Sequence, residues 1–149
     1  MVITNSALAT IEDSLGIPRN PSLETIQKFE AVLKQMPGQI EPENHHYFGP
    51  GVYLRELVMP AGTLIVGKLH KTSHFLIVTR GLIECKTDNG MEMLKGGDII
   101  LTSPGTKRVL LAYEDSAMVT VHVTNKTDLA QIEADVIEPE TLAIEGESA

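Results

Sequence analysis

Apolar positions along this chain change their period once. Between Ser22 and Met36, the residues Leu23, Ile26, Phe29, Leu33 and Met36 recur three or four apart, which places them on one face of a helix. Ser22 is the expected N-cap, Glu24 suits the positive end of the helix dipole, and Met36-Pro37-Gly38 stops the element. From residue 40 onward the runs shorten and fill with Val, Ile, Leu and Thr. Strands are expected at Val52–Met59, Gly62–Leu69, Phe75–Thr79, Leu82–Thr87, Met91–Leu94, Asp98–Thr102, Arg108–Ala112 and Ala117–Thr124. The turns between them carry Pro60-Ala61-Gly62, Asp88-Asn89-Gly90, Gly96-Gly97 and Ser103-Pro104-Gly105, and Asn89-Gly90 marks a hairpin. About eight short strands at close spacing predict an all-β sandwich or barrel with short flanking helices.

The ends of the chain differ from this middle. Ile11 to Leu15 reads as a helical turn ended by Gly16 and Pro18. Thr127 is placed to cap a short helix through Asp128 to Glu133, and the last residues carry glutamates without a basic residue. The expected organisation is an N-terminal segment over 1–39 with a helix at 22–36, a barrel over 40–125, a short helix and strand over 126–137, and a disordered acidic tail over 138–149. The apolar stripe of the 22–36 helix must bury itself on a sheet or on a second subunit, so a homo-oligomer is expected.

Composition narrows the partners. The chain has 149 residues, 42% of them hydrophobic, which suffices for one core. Aromatics are 4% and Trp is absent, so stacked platforms for single-stranded nucleic acid are not expected. A formal charge of -8 disfavours nucleic acid and anionic membranes. One cysteine, Cys85, excludes an intramolecular disulfide framework and reads as a small buried apolar residue. Neither a membrane-length apolar run nor a basic, apolar leader pattern occurs, so the expected place of action is the cytoplasm.

Candidate chemistry gathers around a polar turn between two strands. His70 and His74 flank Lys71-Thr72-Ser73 and converge only if that segment turns tightly. They read either as metal ligands or as rim histidines in solvent. In Met118 to Val123 the valines share one face while Thr120 and His122 share the other. If the valines pack the core, His122 points out; if the lumen is polar, His122 completes a three-histidine site with His70 and His74. Such a site suits a divalent transition metal (Zn, Fe, Mn or Ni). His45 and His46 are adjacent, so at most one faces a shared site. Tyr53, Arg55 and Tyr113 are candidates for the mouth, and Glu114-Asp115 reads as turn chemistry. No residue is assigned as catalytic from the sequence.

The span from Met59 to Asn125 resembles the cupin superfamily, small jelly-roll β-barrels. Gly81 matches the glycine that closes the first cupin motif, and Gly97-Asp98 with Ser103-Pro104-Gly105-Thr106 matches the second. By this alignment His70 takes one histidine position, His74 takes the glutamate position, Lys68 takes the other first-motif histidine position, and Arg108 takes the second-motif histidine position. The resemblance implies a barrel pocket whose vacated metal positions carry fixed positive charge. Lys68 and Arg108 then need a partner. Glu56 or Glu84 is one choice and a small anionic ligand another; alternatively Lys107 and Arg108 are solvated strand-edge charges. The expected ligand-binding set is Lys68, Arg108, Tyr53 and Glu56. Ser103 to His122, with Thr127-Asp128-Leu129, also resembles small cupin-like proteins of bacteriophages, which raises sequestration of a host metabolite or nucleotide signal. Three functions stand at this point. They are a small-molecule binder, which is the preferred reading, a metal-dependent enzyme of isomerase, dioxygenase or lyase type, and a structural or assembly module.

Overall fold

The computed structural model describes residues 2–3 and 21–137. The expected helical turn at Ile11 to Leu15 and the acidic tail over 138–149 lie outside the described residues. Among the described residues, ten strands form two five-stranded antiparallel sheets packed face to face. In chain order they are β1 (Val2–Ile3), α1 (Leu23–Lys34), β2 (Glu43–Gly49), β3 (Val52–Met59), β4 (Leu64–Val66), β5 (His74–Arg80), β6 (Leu82–Thr87), β7 (Gly90–Lys95), β8 (Ile99–Thr102), β9 (Val109–Ala112), β10 (Ser116–Val123) and α2 (Leu129–Val136). One sheet runs β1-β4-β9-β6-β7 and the other β2-β3-β10-β5-β8. Only β2–β3 and β6–β7 are consecutive strands paired in one sheet. Every other connection crosses between sheets, which makes the barrel a jelly roll.

Alternation along the strands separates inside from outside. Leu57, Met59, Ile65, Leu76, Val78, Ile83, Leu110 and Met118 close the lumen at its apolar end. Leu64, Val66, Val109 and Leu111 have the opposite parity and pack beneath Ile26, Phe29 and Leu33 of α1. The helical stripe is thus buried on the chain's own sheet. Ser22 caps α1 as expected, accepting from the backbone N–H of Thr25 at 3.1 Å. In α2 the cap is Asp128 rather than Thr127, and its carboxylate accepts from Gln131 N–H at 3.1 Å. Gly81 joins β5 to β6 at φ 91°, and a Cβ there would collide with Ser116.

The sequence misses β2. It is an edge strand whose residues are exposed except the half-buried Asn44, so no alternation announces it. The expected strand over Gly62–Leu69 shrinks to Leu64–Val66, because the chain then leaves the ladder to build the loop that carries His70. Among the described residues no helix is long and apolar enough to cross a membrane.

Lys107 and Arg108 precede β9, which has neighbours on both sides in its sheet. The strand-edge reading of these cations is therefore overturned; both are buried. Lys107 has the outward parity and reaches α1, where its Nζ lies 2.9 Å from Glu30 Oε1 with both side chains at least nine-tenths buried. Removing one partner of such a pair leaves an uncompensated charge. Lys107→Ala should lower the unfolding free energy by about 3–5 kcal/mol in urea titrations, while Lys107→Met with Glu30→Leu should recover most of it. A loss below about 1 kcal/mol in the single variant would show that the pair does not hold α1 to the barrel.

Candidate functional site

The polar end of the barrel is assembled from four segments. On β10, Met118, Thr120 and His122 are buried, Val119 and Val121 are half-buried and Val123 is exposed. Of the two orientations left open for this strand, the fold takes the one with His122 inside; the orientation with valines in the core is overturned. The reason is that Leu57, Leu76 and Met118 already fill the lumen, which leaves the valines to the outer face. β5 opens on His74, which is buried and paired with Thr102 of β8. His70 comes from the loop after β4. The Lys71-Thr72-Ser73 turn is tight enough to bring it back, and its carbonyl accepts from Gly105 N–H at 2.8 Å. Tyr53 of β3 sits opposite His122 in the ladder, and Arg55 sits opposite Thr120.

The three imidazoles meet. Ring centroids lie 4.3 Å apart for His70–His74, 4.8 Å for His74–His122 and 6.2 Å for His70–His122. His122 Nε2 contacts Thr120 Oγ1 at 3.1 Å. Both ring nitrogens of His70 and Nδ1 of His122 are buried with no hydrogen-bond partner among the described residues; the buried His74 ring has the Thr72 backbone beside it, whose hydrogen bond opposes the downward pull of burial. Burial is the first cause that pushes His70 down to about 3, with the charges of His74, His122, Arg55 and Arg108 adding to it. Burial likewise takes His74 and His122 down to about 4. The site therefore presents neutral imidazoles at physiological pH.

Arg108 has the inward parity and enters the same lumen. It is 8% exposed; its Nη2 donates to Thr102 Oγ1 at 2.6 Å and its Nε has no partner. It also lies beside the Cys85 thiol, which burial pushes up to about 11 despite this neighbour. Among the described residues no carboxylate pairs with Arg108. A small interior cavity of about 50 Å³ adjoins Arg108, Arg55, His70, His74 and Thr120. It shares Arg55, Lys68 and His70 with a larger mouth cavity of about 220 Å³ beneath α2.

The remaining expected residues divide. Tyr53 lines the mouth, stacked between Phe48 (5.3 Å) and His122 (5.8 Å), with its hydroxyl 2.7 Å from His46 Nδ1. Burial raises its pKa. His46 thus faces the site, while His45 pairs with Glu43 in solvent. Lys68 stands at the mouth but is already ion-paired with Glu133 of α2. Glu56 has the parity of Leu54 and Val58, opposite to Tyr53 and Leu57, so it belongs to the outer face and lines none of these cavities. Neither Glu56 nor Glu84 neutralises the lumen; Glu84 lies near Lys86 and Tyr113. Arg55, a mouth candidate from the sequence, reaches both cavities and shares the β3 parity of Tyr53, whereas Tyr113 is exposed and lines neither. The closing element α2 buries Ile132 over the mouth and is tied down through Lys71, whose N–H donates to Val136 O at 2.7 Å and whose Nζ donates to Ala134 O at 2.8 Å.

No family model and no curated protein matches this chain. Similar solved structures include a cupin-2 domain protein from Shewanella frigidimarina, 11% identical over 64% of this chain and 92% of that one, with a TM-score of 0.46. A Cupin 2 conserved barrel domain protein from Salinispora arenicola is 16% identical over 63% and 82%, at 0.47. The EutQ protein of Clostridium difficile is 14% identical over 58% and 70%, at 0.48. At these values the jelly-roll assignment rests on the strand order itself.

The donor chemistry of three buried imidazoles suits a transition metal, but their arrangement does not. Neighbouring rings lie 10–37° from parallel, stacked or tilted against one another rather than splayed around a common centre. Among the described residues no group of three or more His, Cys, Asp or Glu is placed to hold a metal ion.

Neutral buried histidines have a consequence for stability. Unfolded histidines titrate near 6.5, whereas these three hold no proton in the fold until about pH 4 or below. Below pH 6.5 the unfolded chain therefore binds protons that the folded chain does not, and stability falls with pH. Urea midpoints measured from pH 7 to pH 5 should drop steadily, and a His70→Leu/His122→Leu variant should show a shallower drop. A wild-type midpoint that stays level across this window would contradict the neutral cluster.

Proposed function

We propose that this chain is a small-molecule-binding barrel that takes a small anion at the polar end of its lumen. The observation that carries this reading is the contrast between two neighbours in sequence. Lys107 faces outward and has a counter-ion, Glu30, built into the fold. Arg108 faces inward and is as deeply buried; its hydrogen bond goes to the neutral Thr102, the Cys85 thiol lies beside it, and although Glu92 lines a neighbouring cavity with it, no carboxylate among the described residues forms an ion pair with it. A buried guanidinium without a counter-charge is costly, and a ligand carboxylate or phosphate offsets that cost with charge-assisted hydrogen bonds. The interior cavity of about 50 Å³ has room for one such head group. Neutral imidazoles around it donate or accept according to tautomer. The body of the ligand then occupies the mouth cavity, against Tyr53 and Ile132. The sequence likeness to bacteriophage proteins gives the reading a biological form, sequestration of a host metabolite or nucleotide signal.

A second reading is favoured by one observation, the buried ring nitrogens of His70 and His122 without partners among the described residues, with the His74 ring against them. Modest rotations of the three rings would let His70, His74 and His122 converge on a divalent transition metal.

A panel of small carboxylates and inorganic phosphate, scored by thermal shift, tests the first reading. At least one anion should raise the melting temperature, its neutral amide analogue should not, and Arg108→Gln should weaken binding by about 10–100-fold while the fold persists. No shift from any anion, or full affinity in the variant, would overturn it. Elemental analysis of untagged protein separates the second: stoichiometric Zn, Fe, Mn or Ni, lost in His70→Ala/His74→Ala, would establish the metal site instead.

A further inference from the structure

A second cavity touches Arg108 from a side of the barrel that α2 does not cover. The strand orders leave β7 at the end of one sheet and β8 at the end of the other. Between these edges and the turns beside them lies a cleft of about 180 Å³. Its lining includes the buried Cys85, Thr102 and Arg108 and the exposed Glu92 and Ser103, and no residue of α2. The strand register explains why a carboxylate is there. Leu94 of β7 packs in the lumen core, and Glu92 stands two positions before it, opposite Cys85 in the ladder. Alternation therefore turns Glu92 to the inner side of an edge strand rather than to the outer face of the barrel. The Cys85 thiol lies within the fields of both charged groups, yet Glu92 and Arg108 form no ion pair with each other.

We propose that this cleft binds a small ammonium carboxylate, with the carboxylate on Arg108 and the ammonium group at Glu92. The proposal rests on the anion reading of Arg108, and it adds a second approach to that guanidinium and a ligand class for it. Two observations carry it. The first is the guanidinium itself, 8% exposed, whose Nη2 is engaged by Thr102 Oγ1 while Nε has no partner among the described residues. A guanidinium has five N–H donors, so donors remain for a carboxylate. The second is the placement of charge, a buried cation and an exposed carboxylate in one cleft. Glu92 repels a plain anion on its way in, whereas an ammonium carboxylate that enters carboxylate first is attracted at both ends. Hydroxyls of the cleft are committed to the turns. Thr87 Oγ1 accepts from Asn89 N–H at 3.1 Å, and Thr106 Oγ1 donates to Ser103 O at 2.7 Å. The two charges therefore set the specificity, rather than recognition of a polyol. The cleft is larger than the interior cavity of about 50 Å³, which leaves room for a short carbon chain between the charged ends.

Calorimetric titration of the full chain with two matched series tests this. One series is glycine, β-alanine and γ-aminobutyrate; the other is acetate, propionate and butyrate. Inorganic phosphate, which has no ammonium end, reports on the anion reading by itself. At least one amino acid should bind roughly two- to five-fold more tightly than the carboxylate of the same length, the effect of one partly screened ion pair. Glu92→Gln should remove that preference without weakening the plain carboxylates, and the fold should persist because Glu92 is exposed. Plain carboxylates or phosphate that bind with no preference for any amino acid would overturn the cleft proposal and leave the anion reading intact. A preference that Glu92→Gln does not change would overturn it in the same way. Binding by neither series nor phosphate would overturn both.

Discussion

The Arg108 side chain enters the barrel beside a central strand and meets a hydroxyl and a thiol, but no carboxylate among the described residues. Its neighbours are arranged around that fact. His70, His74 and His122 are held neutral by burial, and the fields of Arg108 and Arg55 press in the same direction on His70 and His74. A proton on any of these rings would add positive charge to a lumen that already has an excess. An anion would remove the excess. The electrostatics of the pocket thus follow first from burial and then from two inward-facing cations, Arg108 and Arg55.

Strand parity distributes the remaining roles. One residue's difference separates Lys107, which fastens α1 to the outside, from Arg108, which charges the inside. The same alternation sends His122 and Thr120 inward and Val119 and Val121 outward, so the polar pocket and the apolar outer face arise from a single strand. α1 covers one sheet and α2 closes the mouth.

Much of this is readable from the chain, and the unread parts have physical causes. The strands Val52–Met59 and Leu82–Thr87 and the helix from Leu23 are visible because periodic burial writes periodic sequence. β2 is invisible because an exposed edge strand need not alternate. His70, His74 and Arg108 can be picked out by type and spacing, but not their proximity, which depends on a sheet crossover and a turn. His122 was ambiguous because valines suit either face of a strand, and only the filled lumen decides. Glu56 misleads because a carboxylate near two cations in sequence can sit on the wrong side of the sheet. Lys68 finds Glu133, sixty-five positions away, on a helix whose docking no local pattern announces.

The Arg108 Nε–H group reports directly on the central claim, since it is buried and unpartnered among the described residues. Its nitrogen–proton resonance, assigned by comparison with Arg108→Gln, can be followed while small carboxylates or phosphate are added. The account predicts a saturable downfield shift with at least one anion and none with the matching neutral amide. A resonance unmoved by every anion, in protein that binds a neutral compound or a metal at the histidines, would contradict it.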